Sequence, residues 1–234
     1  MEKTINYQVY SEPSDDEFIS AEDCFAALTS DQSELVEKST TTLLFSKGET
    51  IIKQGYVATH VLYIEQGLAR LDVTDDHKTS TVRLLNKGSF VGIICSFACK
   101  SVDFSAIALE ETTIRMINMD LFQNLVKENG EFALKLIRHM SSNTNSMVHW
   151  ISRLAAKNVE GSLAMVLQEF SNVYDAASFT LPLTRIGLAS LAGCSKESAI
   201  HVLTRFHNDG IIELKEKHVT IIDANRLDLI IRQG

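Results

Sequence analysis

From Thr41 to about Ile117 the apolar residues fall in short runs rich in Val, Ile, Leu, Phe and Thr, broken at Gly48, Gly55, Gly67, Gly88 and Gly92. Segments such as Leu68-Ala69-Arg70-Leu71-Asp72-Val73 and Thr81-Val82-Arg83-Leu84 alternate, as a strand with one buried face does. Glycine suits the turns between them, where positive φ would make a Cβ clash. The pattern predicts a compact β-sandwich or roll. A helix precedes it, starting near Ser20 to Glu22 with Phe25, Leu28 and Leu35 apolar.

Beyond Asn118 the period becomes helical. A short helix over Met119 to Glu128 precedes Asn129-Gly130, and a long one runs to about Lys157. In the long helix Leu136, Met140, Asn143, Met147, Trp150 and Leu154 recur at spacings of 4, 3, 4, 3 and 4, an a/d seam. Such a seam serves either packing within a domain or pairing with a second copy. The polar Asn143 favours pairing, because a lone asparagine at a core position fixes the register of paired helices.

The final third, Val159 to Gly234, reads as a helix, a short strand-like Phe179-Thr180-Leu181, and two helices either side of Gly193. Two β-rich runs follow, Ile211-Ile212-Glu213-Leu214 and Val219-Thr220-Ile221-Ile222, flanking Lys215 to His218 as a hairpin. The fold class is α+β, in four parts. They are an acidic arm over 1–20, a jelly-roll-like β-roll over 21–128, a long helix with the seam over 129–157, and a unit of helices closed by a hairpin over 158–234.

Hydrophobic residues make up 45% of the 234-residue chain, enough to bury real cores, so a fibrous or wholly disordered chain is excluded. No run approaches a membrane span, and the acidic N-terminus lacks the basic and apolar regions of a signal peptide, so a cytoplasmic protein is expected. Cys24, Cys95, Cys99 and Cys194 show no disulfide framework and read as free thiols. The net charge of −8 is concentrated in residues 1–34, which hold nine acids and one base; the remainder is balanced at 21 of each. Bulk charge therefore neither supports nor excludes nucleic-acid binding.

Thr184 can cap a helix over Arg185 to Ala192, Gly193 lets the chain turn, and Ser195 can cap a second helix from Lys196 to about His207. Ala189, four residues before Gly193, supplies the small residue that two steeply crossing helices need where they touch. A β-hairpin follows directly, as a wing would. The segment from Leu183-Thr184-Arg185 through Gly193-Cys194-Ser195-Lys196-Glu197-Ser198 to Gly210-Ile211-Ile212 resembles the helix-turn-helix of the CRP/FNR family of bacterial transcription regulators. Ile51-Ile52, Gly55, Ala58, Val61-Leu62-Tyr63-Ile64 and Gly67 resemble that family's β-roll, with Tyr56 departing from its pattern. The likeness runs unbroken over roughly residues 22–225.

The resemblance implies that the second helix enters the major groove, with Lys196, Glu197 and His201 toward bases and phosphates. Glutamate can accept from cytosine N4, and lysine or histidine can donate to guanine or phosphate. His201 stands where relatives usually carry arginine, which changes the half-site to be expected. Phosphate contacts fall to Thr184, Arg185, Ser195, Ser198, Arg205, Lys215 and Lys217. The implied partners are inverted-repeat double-stranded DNA, a second copy of the chain, RNA polymerase and a small effector.

Cyclic AMP is not the expected effector. Family members that bind it use a glutamate after the Gly92 position, an Arg-Ser pair, and a polar pair on the dimer helix. Here Ile93, Phe104-Ser105 and Met147-Val148 stand there, with Ile94 adjoining, and the apolar ones offer neither carboxylate nor guanidinium. An iron–sulfur cluster is not expected from cysteines so dispersed. The apolar substitutions suit a hydrophobic effector, haem included, with His149 or His139 as ligand; a Cys95/Cys99 redox switch is the other alternative. No nucleophile–base constellation or phosphate loop argues for an enzyme. A cupin-like metal site would need clustered ligands where only His60 and His77 occur, and a ligand-binding module without DNA binding would leave the helix-turn-helix unexplained.

Overall fold

The computed structural model describes residues 20–76, 78–93, 97 and 101–234; expectations placed on residues 1–19, His77, Ile94, Cys95 and Cys99 lie outside them. Where one N-terminal helix was expected, two form: α1 (Ala21–Phe25) and α2 (Ser30–Ser39). Each begins in a reciprocal capping box, Ser20 with Asp23 and Thr29 with Gln32, so the second box at Thr29 restarts the helix on a new axis. Val36 is consequently buried and Leu35 is 49% exposed.

The roll follows as β1 (Thr40–Phe45), β2 (Thr50–Ile52), β3 (His60–Gln66), β4 (Ala69–Asp75), β5 (Lys78–Leu85), β6 (Phe90–Val91), β7 (Ser105–Ala108) and β8 (Thr112–Asn118). These strands form two antiparallel sheets, ordered β1-β8-β3-β6 and β2-β7-β4-β5. Leu62, Ile64, Ala69, Leu85, Val91, Ala106 and Ile114 fill the space between them. Gly67, at φ 95°, makes the β3–β4 turn, and a Cβ there would lie 2.4 Å from the carbonyl oxygen of Glu111. Only glycine fits that position.

Helix α3 (Met119–Glu128) buries Met119, Phe122 and Leu125 under the first sheet. The long helix α4 (Gly130–Ala156) is capped by Asn129, whose amide also donates to Ala27 O at 2.9 Å and Gln32 Oε1 at 2.8 Å. The start of α4 is thereby fastened to the N-terminal helices.

The a/d seam expected to pair two chains is used within the chain instead. Leu136 is 4% exposed in the roll's core with Met140 against it, while Trp150 and Leu154 pack on the C-terminal core. Asn143 faces the roll, where its Oδ1 and carbonyl oxygen lie 3.5 and 3.4 Å from the Arg83 guanidinium and its amide nitrogen 2.8 Å from His139 Nε2. Met147 is half-buried on the same side. A second stripe at the same heptad spacing, Leu134, Ile137, Ser141, Thr144, Val148, Ile151 and Ala155, lies exposed, with Ile137 at 62% and Val148 at 56%.

The C-terminal unit comprises α5 (Val159–Tyr174), β9 (Ser178–Thr180), α6 (Arg185–Leu191), α7 (Lys196–Asn208), β10 (Ile212–Lys215), β11 (His218–Ile221) and α8 (Ala224–Gln233). Its sheet runs β10-β11-β9. Helix α8, which the hydrophobic pattern did not suggest, starts at the Asp223 cap and buries Leu227 and Ile231. Phe170, Leu188 and Phe206 form the unit's centre, and Leu68, Leu84 and Leu109 of the roll belong to the same apolar cluster. The Tyr174 hydroxyl donates to Glu110 Oε2 across this junction at 3.1 Å.

Candidate nucleic-acid interface

Two capped helices set the geometry. The Thr184 hydroxyl accepts from the Gly187 amide at 3.1 Å and starts α6; the Ser195 hydroxyl accepts from the Ser198 amide at 3.0 Å and starts α7. Between them Gly193 adopts φ 67°, and the Cys194 amide donates to Ala189 O at 3.0 Å, closing the turn over the small side chain of Ala189. Helix α7 turns Ala199, Val202, Leu203 and Phe206 inward. That burial leaves Lys196, Glu197 and His201 exposed on the outer side.

The same outer side carries two residues that sequence reasoning passed over. Ile200 is 41% exposed and Thr204 is exposed, and Glu197, Ile200, His201 and Thr204 follow the i, i+3, i+4, i+7 spacing of one helix face. The signal was present in that spacing, but an isoleucine in a helix reads as core until its neighbours are known to be buried. A shallow groove joins Glu197, Ser198 and His201 to the start of α5 at Asn158, Val159 and Glu160.

The expected phosphate contacts divide into free and engaged groups. Lys217 is exposed at the hairpin tip. Lys215 is exposed but lies 2.9 Å from the Glu213 carboxylate, which it holds below the ordinary glutamate range. Arg205 is ion-paired with Glu160 of α5. Arg185 is half-buried, which lowers its pKa, and donates through Nη2 to the carbonyl oxygen of Glu216 at the wing tip. Thr184 and Ser195 use their hydroxyls as acceptors in helix caps, and the Ser195 hydroxyl also donates to Ser198 Oγ at 2.9 Å.

The described residues expected to line an effector pocket belong to different parts of the structure. Ile93 is 4% exposed in the cluster of Val61, Ile117 and Phe122, whereas Phe104 packs on the separate cluster of Leu62 and Ile114. The Ser105 hydroxyl accepts from the backbone N–H of Gln54 at 3.0 Å. Val148 lies on the exposed stripe of α4, beside Ser141 and Thr144. Of the two histidines considered for haem, His139 is 3% exposed, with its Nε2 against Asn143 and its ring edge-to-face with Phe90; His149 is exposed. Cys24 and Cys194 are free thiols, and burial raises the pKa of each, Cys24 to about 11. Among the described residues no helix is long and apolar enough to cross a membrane, and no group of three or more His, Cys, Asp or Glu side chains could hold a metal ion.

Residues 42–129 match the model of the cyclic nucleotide-binding domain, and residues 149–230 match that of the Crp-like helix-turn-helix domain. The chain is 26% identical over 202 residues to the anaerobic regulatory protein of Bacillus subtilis, covering 83% of this chain and 85% of that one. It is 24% identical over 179 residues to the cAMP-activated global transcriptional regulator CRP of Salmonella typhimurium, covering 74% and 85%. In fold it is similar to a transcriptional regulator of the crp/fnr family from Eubacterium rectale, with a TM-score of 0.74, 19% identity, and coverage of 89% and 97%.

Proposed function

The chain belongs to the CRP/FNR family of transcription regulators, and on that premise we propose that it acts in the cytoplasm as a homodimer on an inverted-repeat DNA operator. The observation that carries this reading is the outer face of α7. Lys196, Glu197, Ile200, His201 and Thr204 project from a helix whose other face is locked into the core and whose start is fixed by the Ser195 cap.

Glu197 offers an acceptor for cytosine N4, and Ile200 an apolar contact for a thymine methyl. Lys196 and His201 donate to guanine or phosphate, and Lys217 and Lys215 steady the wing on the backbone. The exposed stripe from Leu134 to Ala155 supports pairing of two α4 helices, because Leu134 and Ile137 before the polar Ser141 and Thr144, and Val148 and Ile151 after them, are costly to leave in water on one helix face. RNA polymerase is the further partner that a regulator of this kind would engage.

Cyclic AMP is not its effector on this reading. The Salmonella relative is cAMP-activated by name, but this chain has Ile93 and Phe104 where nucleotide-binding relatives carry charged groups, and both pack into apolar clusters. A haem ligated by His139 would have to break the contact with Asn143. Transmission runs through the break at Lys157 and Asn158, whose extended backbone separates α4 from α5.

Selection of binding sites from a random DNA pool tests the proposal. The expected product is an inverted repeat with half-site centres about 34–36 Å apart. Enrichment of no sequence over the starting pool would overturn it.

A further inference from the structure

The wing sheet carries a polar strip that none of the contacts assigned above uses. On its outer face β11 places His218 and Thr220, flanked by Thr180 and Ser178 of β9 and by Lys215 and Glu213 of β10, each in register. Four of these side chains are bonded in one line. Thr180 Oγ1 lies 3.1 Å from His218 Nδ1, His218 Nε2 lies 2.9 Å from Ser178 Oγ, and Ser178 Oγ lies 2.8 Å from Thr220 Oγ1. All four hydrogen-bond in an exposed setting, where water would satisfy them individually, so the line is not needed to relieve burial.

We propose that this strip contacts a phosphate of the DNA backbone flanking the half-site, extending along β9 the interface assigned to α7 and the wing; it rests on that DNA-binding reading. Hydrogen-bond arithmetic leaves one spare proton at one end of the line, on Thr180 or on Thr220 according to the tautomer of His218, and the surroundings select the end. A neutral imidazole has one donor and one acceptor nitrogen, and each hydroxyl has one proton to give. When the line runs from Thr220 to Ser178, from Ser178 to His218 Nε2, and from His218 Nδ1–H to Thr180, every proton is used except that of the Thr180 hydroxyl. A phosphate oxygen at that end completes the line, and each bond polarises the next.

Position and charge agree with this. The Leu181 amide, one residue beyond Thr180, donates to Lys217 O at 2.9 Å, so the open end of the line adjoins the wing tip. Lys215 is the register partner of His218, and Lys217 is exposed beside it. The nearby acids are Glu216, at the tip between the two lysines, and Glu213, already paired with Lys215 at the other end of the strip beside Thr220. The Thr180 hydroxyl and the exposed Lys217 thus meet at one end of the strip, where a backbone phosphate can take both. Neutral donors release no counterion, so the strip adds affinity without adding to the salt dependence.

The test is a fluorescence anisotropy titration of the full chain on its selected operator, with native flanks and with flanks trimmed to the half-sites. Thr180→Val removes the terminal hydroxyl while keeping β-branching, and Ser178→Ala interrupts the line without touching its open end. Thr180→Val is expected to weaken binding to flanked DNA about tenfold, the size of a hydrogen bond to a charged group. Its salt slope and its affinity for trimmed DNA should be unchanged, with a smaller loss for Ser178→Ala. Equal affinity of wild type and Thr180→Val on flanked DNA, or equal losses on both DNAs, overturns the strip while leaving the DNA-binding reading intact. A wild-type chain without sequence preference overturns that reading and the strip with it.

Discussion

The backbone amide of Thr81 in β5 donates to Oγ of Ser190 in α6 at 2.9 Å, fastening the edge of the roll to the first helix of the helix-turn-helix. Thr81 is 8% exposed, and its own hydroxyl is committed to Asp72, which also accepts from Arg70. Ser190→Ala strands a buried donor, at a cost of about 1–3 kcal/mol. Thermal unfolding should show the loss, and Ser190→Thr should recover part of it. Unchanged unfolding in Ser190→Ala would show that the amide finds water and that this contact does not join the two units.

The two stripes of α4 make opposite predictions. Ile137→Asp, on the exposed stripe, should leave the fold intact and abolish dimerisation at micromolar concentration by sedimentation, since it would bury an unpaired charge between two helices. Leu136→Ala, on the inward stripe, should cost about 2–5 kcal/mol of stability and leave the dimer in place. The opposite pattern would return the dimer seam to Leu136, Met140 and Asn143.

Much of this architecture was legible in the chain, and the exceptions share a cause. Thr184, Gly193 and Ser195 act through hydrogen bonds and backbone angles within a few residues, so the turn and both helices could be placed from their spacing. The seam could not. Helix α4 carries two largely apolar stripes of the same period, each with a polar centre, and periodicity says nothing about which of them the roll covers. Asn143 looked like a register residue for paired helices because its partner Arg83 is 60 residues away in sequence. Ile200 was missed for the same reason, since its exposure depends on what Ala199 and Leu203 pack against. Helix α8 was missed because its packed residues, Leu227 and Ile231, give too short a pattern at the chain's end to separate from the wing before it.

Glu160 places a carboxylate at the start of α5, against Arg205 of α7. The pair is partly exposed, so Glu160→Gln should change stability by less than about 1 kcal/mol. It should nevertheless raise affinity for any DNA about threefold and steepen the salt dependence by about one ion, because Arg205 becomes free to meet a phosphate. Unchanged affinity and salt slope would mean that Arg205 lies out of reach of the backbone and serves only to hold α7 against α5.

Alkaline pH should destabilise the roll. Burial, followed by the Asp23 carboxylate, pushes the Cys24 thiol from 9.0 up to about 11. A group whose pKa is raised on folding contributes stability that is complete below the unfolded value and lost as pH rises through the folded one, here between about pH 9 and 11. The displacement amounts to about 3 kcal/mol at most. Burial pushes the Tyr63 and Tyr174 hydroxyls in the same direction. Unfolding in denaturant across that range should show a shallower decline for Cys24→Ala than for wild type, and parallel declines would contradict the assignment.

The central claim is that the outer face of α7 reads DNA sequence, and Glu197 tests it most directly. The measurement is the dissociation constant of wild type and Glu197→Ala, at one fixed salt concentration, on the selected operator, on each single-base-pair variant of a half-site, and on scrambled DNA. The account expects wild type to prefer the operator over scrambled DNA by about a thousandfold or more. Glu197→Ala should lose about 1–3 kcal/mol on the operator and its preference at one base pair, with its affinity for scrambled DNA unchanged. Equal losses for Glu197→Ala on operator and scrambled DNA would contradict the claim.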